Sequence, residues 1–339
     1  MKQLLIHCDA NRTSGFGHFS RCLALAELVR SSRPDIKVLF VGDYGGYAID
    51  KLRLTNTRYI IIHEAESFTK EVINAFVSYE TDFLLIDSYL APQFFYDYMT
   101  EKEIKWGVFD DFAQQDFRQA QFVINFRVGA EKMFRYRSKT CGLGPGFMPI
   151  RAEFFAVRRG NEKRKVRVDV ENILICLGGY DKYQVSGCLL ESVIRVFDQA
   201  FVLVLLSDQD EISVLMSKYK NNTNVKVEQP CSDVGSIMGD MDLLVSGGGM
   251  LKYEAGYCGI PNAALSQTQE QHQDSLVLQE HGVLLDLGLA GDFIAPQVEK
   301  ELLAFSRQSR QAMRARQLQI FPASARLQLV ELIHKQLVV

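Results

Sequence analysis

His18 is the residue around which chemistry can be organised. It stands in Gly15-Phe16-Gly17-His18, between the apolar run Leu4-Leu5-Ile6-His7-Cys8 and a stretch where Cys22, Leu23, Leu25, Ala26, Leu28 and Val29 fall at helical spacing. The pattern reads strand, glycine loop, helix. Glycines allow a tight turn and close approach of a ligand to the backbone. The first amides of the helix have no intrahelical acceptor and suit an anion or a sugar hydroxyl. An imidazole at a helix start exchanges a proton near neutral pH, and the positive helix end favours its neutral, basic form. The plain alternative is a turn with no ligand, since the third glycine and the acidic residue of a dinucleotide fingerprint are missing.

Two further sets of residues bear on a site. Asp9, Asp87-Ser88-Tyr89 and Asp110-Asp111 each close a strand-like run. Singly, each reads as a helix cap or turn former; together they gather polar groups on one rim of a sheet. In the second half, Gly178-Gly179-Tyr180-Asp181 and Gly247-Gly248-Gly249 follow apolar runs. The triple glycine offers bare amides at a helix start, which suit a diphosphate. Glu254, five residues beyond Gly249, is placed to pair with a ribose diol, its competing reading being an ordinary surface glutamate.

The elements that must position these residues alternate. Strands are expected at 4–8, 37–41, 59–63, 83–87, 106–109 and 122–125, then at 172–177, 201–206, 225–227, 242–246 and 262–265, with helical patterns between most of them. Such alternation predicts parallel sheets covered on both faces. The run Arg158-Arg159-Gly160-Asn161-Glu162-Lys163-Arg164-Lys165 loses apolar periodicity and reads as a solvated linker rather than a contact for phosphate or lipid. The expected organisation is α/β: a Rossmann-like N-terminal domain 1–157, a linker 158–170, a Rossmann-like C-terminal domain 171–320, and a helix 321–339 that braces a domain or returns to the first one.

Composition narrows the classes. A chain of 339 residues suits two domains, and 47% hydrophobic with 23% charged residues is ordinary for a globular protein. A net charge of -3 gives no reason to expect nucleic acid as a partner. The seven cysteines are scattered without Cys-x-x-Cys spacing, which argues against a zinc site and fits a reducing compartment. No signal-peptide pattern or membrane-length apolar run is present, so a cytoplasmic location and no membrane segment are expected.

In order, these motifs resemble one family over residues 2 to 285. The pieces are Asp9, Gly15–His18 with Arg21-Cys22-Leu23-Ala24-Leu25-Ala26, Ile86-Asp87-Ser88-Tyr89 and Phe109-Asp110-Asp111. They continue with Gly144-Pro145-Gly146, Ile150-Arg151-Ala152-Glu153-Phe154, Gly178–Asp181, Val245–Gly249 with Glu254, and Gly259-Ile260-Pro261 followed by Gln271. The sequence is similar to the UDP-2,4-diacetamido-2,4,6-trideoxy-β-L-altropyranose hydrolase (PseG) of pseudaminic acid biosynthesis and its SpsG-like relatives.

The resemblance implies a GT-B-like architecture similar to MurG, with two Rossmann-like domains whose parallel sheets face across a cleft. It implies His18 as general base for a water that displaces UDP, with Tyr89 lining the sugar pocket and neither metal nor cofactor required. Glu254 would hold the ribose, and the amides of Gly248, Gly249 and Met250 the diphosphate. The remaining motif positions Asp9, Gly15, Gly17, Arg21, Asp87, Gly178, Gly179 and Gln271 would line the substrate. The chain departs from the family where Gly249-Met250 replace a Ser-Thr pair, Glu270-Gln271 an Asn-Gln pair, and Phe147 a tyrosine. A nucleotide-sugar hydrolase is the leading expectation. A glycosyltransferase using the same base and a non-catalytic nucleotide-sugar binder are the alternatives.

Overall fold

A computed structural model describes residues 2–11, 15–63, 68–79, 81–178, 181–229 and 234–338. The chain divides into two compact units, Met1–Ala152 with Ser324–Val339, and Glu153–Ala323.

Unit 1 is built on seven parallel strands, β1 (Gln3–Cys8), β2 (Lys37–Gly42), β3 (Arg58–Ile61), β4 (Phe83–Asp87), β5 (Trp106–Phe109), β6 (Phe122–Asn125) and β7 (Cys141–Leu143). Their spatial order is β3-β2-β1-β4-β5-β6-β7. The central strands are near-continuous apolar runs because helices cover both faces. Leu5, Leu39, Leu84, Ile86, Val108 and Val123 point into one core layer with Phe76, Phe95 and Met99. Each such side chain contributes about 1.5–3 kcal/mol on burial. The helix Gly17–Ser32 buries Phe19, Cys22, Leu25, Ala26 and Val29. It also packs against the C-terminal helix Ala325–Val338, which belongs to this unit.

Unit 2 repeats the plan with six strands, β8 (Asn172–Cys176), β9 (Phe201–Leu205), β10 (Val225–Glu228), β11 (Leu243–Ser246), β12 (Asn262–Ser266) and β13 (Leu285–Leu289). All pairings are parallel, in the order β10-β9-β8-β11-β12-β13. In both sheets the order reverses at the first strand, beside β4 in unit 1 and beside β11 in unit 2. Open α/β sheets bind ligands beyond the carboxyl ends of the strands at such reversals. The glycine turns after β1, β8 and β11 all fall there.

Two strands escaped the sequence reading. β7 is three residues long with a central glycine, and β13 is a half-buried edge strand interrupted by Gly288. The charged run at 158–165 also differs from the linker expected of it. Its first residues complete a helix, Glu153–Asn161, of unit 2. Arg158 is buried there and donates Nη1 to the carbonyls of Tyr257 and Phe321, each at 2.7 Å, with its guanidinium 4.8 Å from the Tyr257 ring centre. Carbonyls at helix C-termini have no intrahelical donor, and a long cationic side chain supplies one. No helix among the described residues is long and apolar enough to cross a membrane.

Candidate active site

The end of β1 and the end of β4 are register partners, Cys8 opposite Asp87. The helix Gly17–Ser32 starts just beyond β1, with no side chain capping its first amides. His18 and Arg21, three residues apart and so on one helix face, meet Asp87. The Asp87 side chain is fully buried. It accepts from Arg21 Nε and Nη2, each at 2.6 Å, and pairs with His18 Nδ1 at 2.5 Å.

Burial alone would push the Asp87 carboxyl up. The charge of Arg21, then that of His18, and the hydrogen bonds from both outweigh it and hold the carboxyl well below the usual range. Asp87 is therefore ionised and can only accept. His18 Nδ1 must then carry a proton, so that whenever the ring is neutral its lone pair is on Nε2. Arg21 Nη2 also lies 3.2 Å from Nδ1, but two donors cannot bond, so Asp87 is the partner that fixes the tautomer.

A second carboxylate completes the frame. Asp111, just past β5, accepts Arg21 Nη1 at 2.8 Å and the Tyr89 hydroxyl at 2.5 Å. Tyr89 is half exposed along its ring, with its hydroxyl turned inward, and it meets His18 edge-on at 4.4 Å between centroids. Burial, followed by the Asp111 charge, pushes the phenol well up and keeps it a donor. Burial lowers the pKa of Arg21, but Asp111 and Asp87 more than reverse this. The Phe109 and Phe126 rings lie 5.2 and 5.6 Å from its guanidinium carbon.

The neighbouring strand-end acids serve the backbone. Asp110 accepts the amides of Phe112 and Ala113 and the Tyr136 hydroxyl, and Asp9 accepts the amide of Asp43. Asp87 and Arg21 are likewise buried, bonded to one another and, respectively, to His18 and Asp111. Asp111 has the same standing and was absent from the expected site. Its only sequence signal was the Phe109-Asp110-Asp111 strand end, which cannot say which of two adjacent acids turns toward Arg21.

In unit 2 the turn after β11 depends on its glycines. A Cβ on Gly247 would stand 2.0 Å from the Leu177 carbonyl oxygen, and Gly248 has φ +79° with Ser266 Oγ 2.8 Å from where its Cβ would be. Gly249 is the cap of the helix Met250–Cys258, and a Cβ there would meet nothing within 4 Å. This leaves open space beside Gly249, at the start of the helix and the carboxyl edge of the sheet.

Glu254 is buried on that helix, so the surface-glutamate reading does not hold. Beside it, buried Lys252 donates to Gln271 O and Ser275 Oγ and pairs with Asp274 Oδ2 at 2.8 Å. The Gln271 side chain accepts the Gln267 amide at 3.0 Å, which ties the turn after β12 to the helix Gln269–Glu280. Glu270 is exposed in the first turn of that helix, where a negative charge suits the dipole. Gly178 has φ +107° in the turn after β8, while Gly179 lies outside the described residues. The predicted residues thus form two sets, one per unit: His18, Arg21, Asp87 and Tyr89 in the first, and Gly248, Gly249, Met250, Glu254 and Gln271 in the second. Among the described residues no group of three or more His, Cys, Asp or Glu side chains is arranged to hold a metal ion.

Two Rossmann-like sheets of this order give the chain the GT-B fold. Acinetobacter baumannii MurG has the same fold, with a TM-score of 0.69 at 14% identity over 99% of this chain and 100% of that one. By sequence the chain resembles the spore coat polysaccharide biosynthesis protein SpsG of Bacillus subtilis, 25% identical over 84% of this chain and 83% of that protein. It is equally similar to an uncharacterized protein of Methanocaldococcus jannaschii, 25% identical over 80% of this chain but spanning only 57% of that relative's length. No family model matches the chain.

Proposed function

We propose that the chain is a nucleotide-sugar hydrolase that releases UDP from a UDP-linked deoxy-diacetamido sugar for surface-glycan synthesis. The observation behind this is the His18–Asp87 pair at 2.5 Å, whose carboxylate leaves Nε2 as the basic nitrogen. Nε2 takes a proton from water as the water oxygen bonds to the anomeric carbon. The bond from that carbon to the phosphate oxygen breaks, and its electron pair leaves with UDP. A general base within hydrogen-bond reach of the water suits this step. In unit 2 the amides at Gly248–Met250 would meet the growing diphosphate charge, and Glu254 would hold the ribose. The likeness to SpsG supports a role in polysaccharide synthesis.

A transferase reading has its own observation. Tyr89, Leu90 and Phe94 are exposed, whereas Phe95 and Tyr96 in the same stretch are buried, so an apolar surface for an acceptor lies close to His18. The two readings separate in one assay: UDP release from a panel of UDP-sugars without acceptor, in EDTA, with His18→Ala alongside. Release that survives EDTA and collapses in the variant supports the hydrolase. Release only on adding an acceptor supports the transferase. Release unchanged in His18→Ala removes His18 as the base.

A further inference from the structure

The helix Met250–Cys258 buries every residue from Lys252 to Cys258, and a lysine is out of place on such a helix. The Lys252 side chain is 1% exposed. Taking an ammonium out of water is costly, and a buried ion pair seldom outdoes an apolar pair of the same shape in stability. The position therefore calls for a reason beyond packing.

Lys252 Nζ pairs with Asp274 Oδ2 at 2.8 Å and donates to Ser275 Oγ at 3.0 Å and to the Gln271 carbonyl at 3.1 Å. Three acceptors match the three donors of an ammonium. All of them belong to the first two turns of the helix Gln269–Glu280. The acceptors are themselves held. Asp274 Oδ1 accepts the Tyr253 hydroxyl at 2.8 Å. Ser275 Oγ donates to the Gln271 carbonyl at 2.8 Å and lies 3.2 Å from Ser266 Oγ at the end of β12.

Gln271 is held from a second side. A Cβ on Gly248 would stand 3.2 Å from Gln271 Cβ and 2.8 Å from Ser266 Oγ, so the glycine turn rests on these two residues. Four residues after Gly248, Lys252 reaches back to the same Gln271. The glycine turn, the helical turn behind it and the start of the helix Gln269–Glu280 thus close into one ring around buried polar atoms. Charge-assisted hydrogen bonds away from water fix geometry more tightly than apolar contact does.

We propose that Lys252 is a positioning residue for the nucleotide diphosphate, acting through Gln271 and the Gly248–Met250 turn, which it holds in fixed relation to each other. This rests on the reading that places UDP in unit 2. Donors that are already in place need no rearrangement when an anion arrives. Without the ammonium the turn can move relative to Gln271, so the diphosphate loses affinity and the uridine part does not.

The test is calorimetric titration of UDP and of uridine into the full chain, with denaturant melts alongside. Lys252→Met keeps the length of the side chain but leaves Asp274 without its cation, whereas Lys252→Met with Asp274→Asn removes both charges. The single variant should be the less stable, and the double variant should recover most of that loss. Both should bind UDP at least about tenfold more weakly, with uridine affinity within about twofold of wild type. Recovery of UDP affinity along with stability in the double variant would make Lys252 a packing residue and overturn the proposal. So would an equal loss for UDP and uridine, or no loss of either. Gly249→Ala separates this inference from the reading beneath it. Undiminished UDP affinity there removes the diphosphate from the turn; weakened affinity there, beside wild-type affinity in the double variant, removes Lys252 alone. If neither lysine variant folds, Ser275→Ala decides, with a loss of UDP affinity of about two- to fivefold expected and no loss overturning the proposal.

Discussion

At the residue scale, Asp87 governs His18. Its carboxylate keeps the proton on Nδ1, and Asp87→Asn offers the ring an amide that binds either tautomer. If His18 is the base, UDP release by Asp87→Asn should fall on the order of 10²–10⁴-fold in kcat with little change in KM, read by steady-state kinetics. The same carboxylate has a stability signature. Its folded pKa lies below the unfolded value, so its contribution is present above the unfolded pKa and is lost as pH falls through the folded one. The stability gap between wild type and Asp87→Asn should therefore shrink as pH is lowered from about 5 to about 2 in denaturant melts. Glu211 works in the opposite sense. Burial, with Asp181 and Asp208 nearby, pushes its carboxyl up to about 7 from an ordinary 4.5. Folding then loses stability as pH rises between those values. Glu211→Gln should melt like wild type at about pH 4 and above it at about pH 8.

At the element scale, the two adjacent glycines at the start of the helix Met250–Cys258 make different demands. Gly248 needs a left-handed backbone and has no room for a Cβ, whereas Gly249 has ordinary φ and open space around it. Gly248→Ala should cost about 1–3 kcal/mol in a denaturant melt. Gly249→Ala should fold normally and still weaken UDP in a titration, because its methyl would occupy the space that the diphosphate takes in the proposed reading. Equal UDP affinity in Gly249→Ala and wild type would move the diphosphate away from this turn. The spacing of glycines in the sequence marked the turn, but not which glycine serves the backbone and which serves the ligand. That distinction depends on Ser266 and Leu177, residues of neighbouring strand ends.

At the scale of the whole molecule, the chain has two units of the same plan, each with its candidate residues at the reversal of its strand order. Binding that involves only the folded state stabilises by about 2.7 kcal/mol at a hundredfold excess over Kd. UDP alone should therefore slow amide exchange around Gly247–Cys258 and Thr268–Ser275 of unit 2, and leave exchange around β1 and β4 of unit 1 unchanged. Protection confined to unit 1 would reverse the proposed assignment of nucleotide and base.

The order of strands, glycine turns and helices was legible in the sequence because apolar runs and glycines act locally. The ranges 83–87, 106–109 and 122–125 match β4, β5 and β6 residue for residue. His18 stood out for the same reason, since a glycine loop before a helical pattern fixes where its backbone goes. Partner choice was not local. Asp87, 69 residues from His18, reaches it only because β4 lies beside β1, and Asp111 joins through Arg21 from the end of the next strand. Arg158 reads as a solvated charge in sequence, yet it is buried on helix-end carbonyls. A charged side chain is placed by the acceptors that tertiary packing brings to it, and no periodicity in the chain records where those acceptors will be.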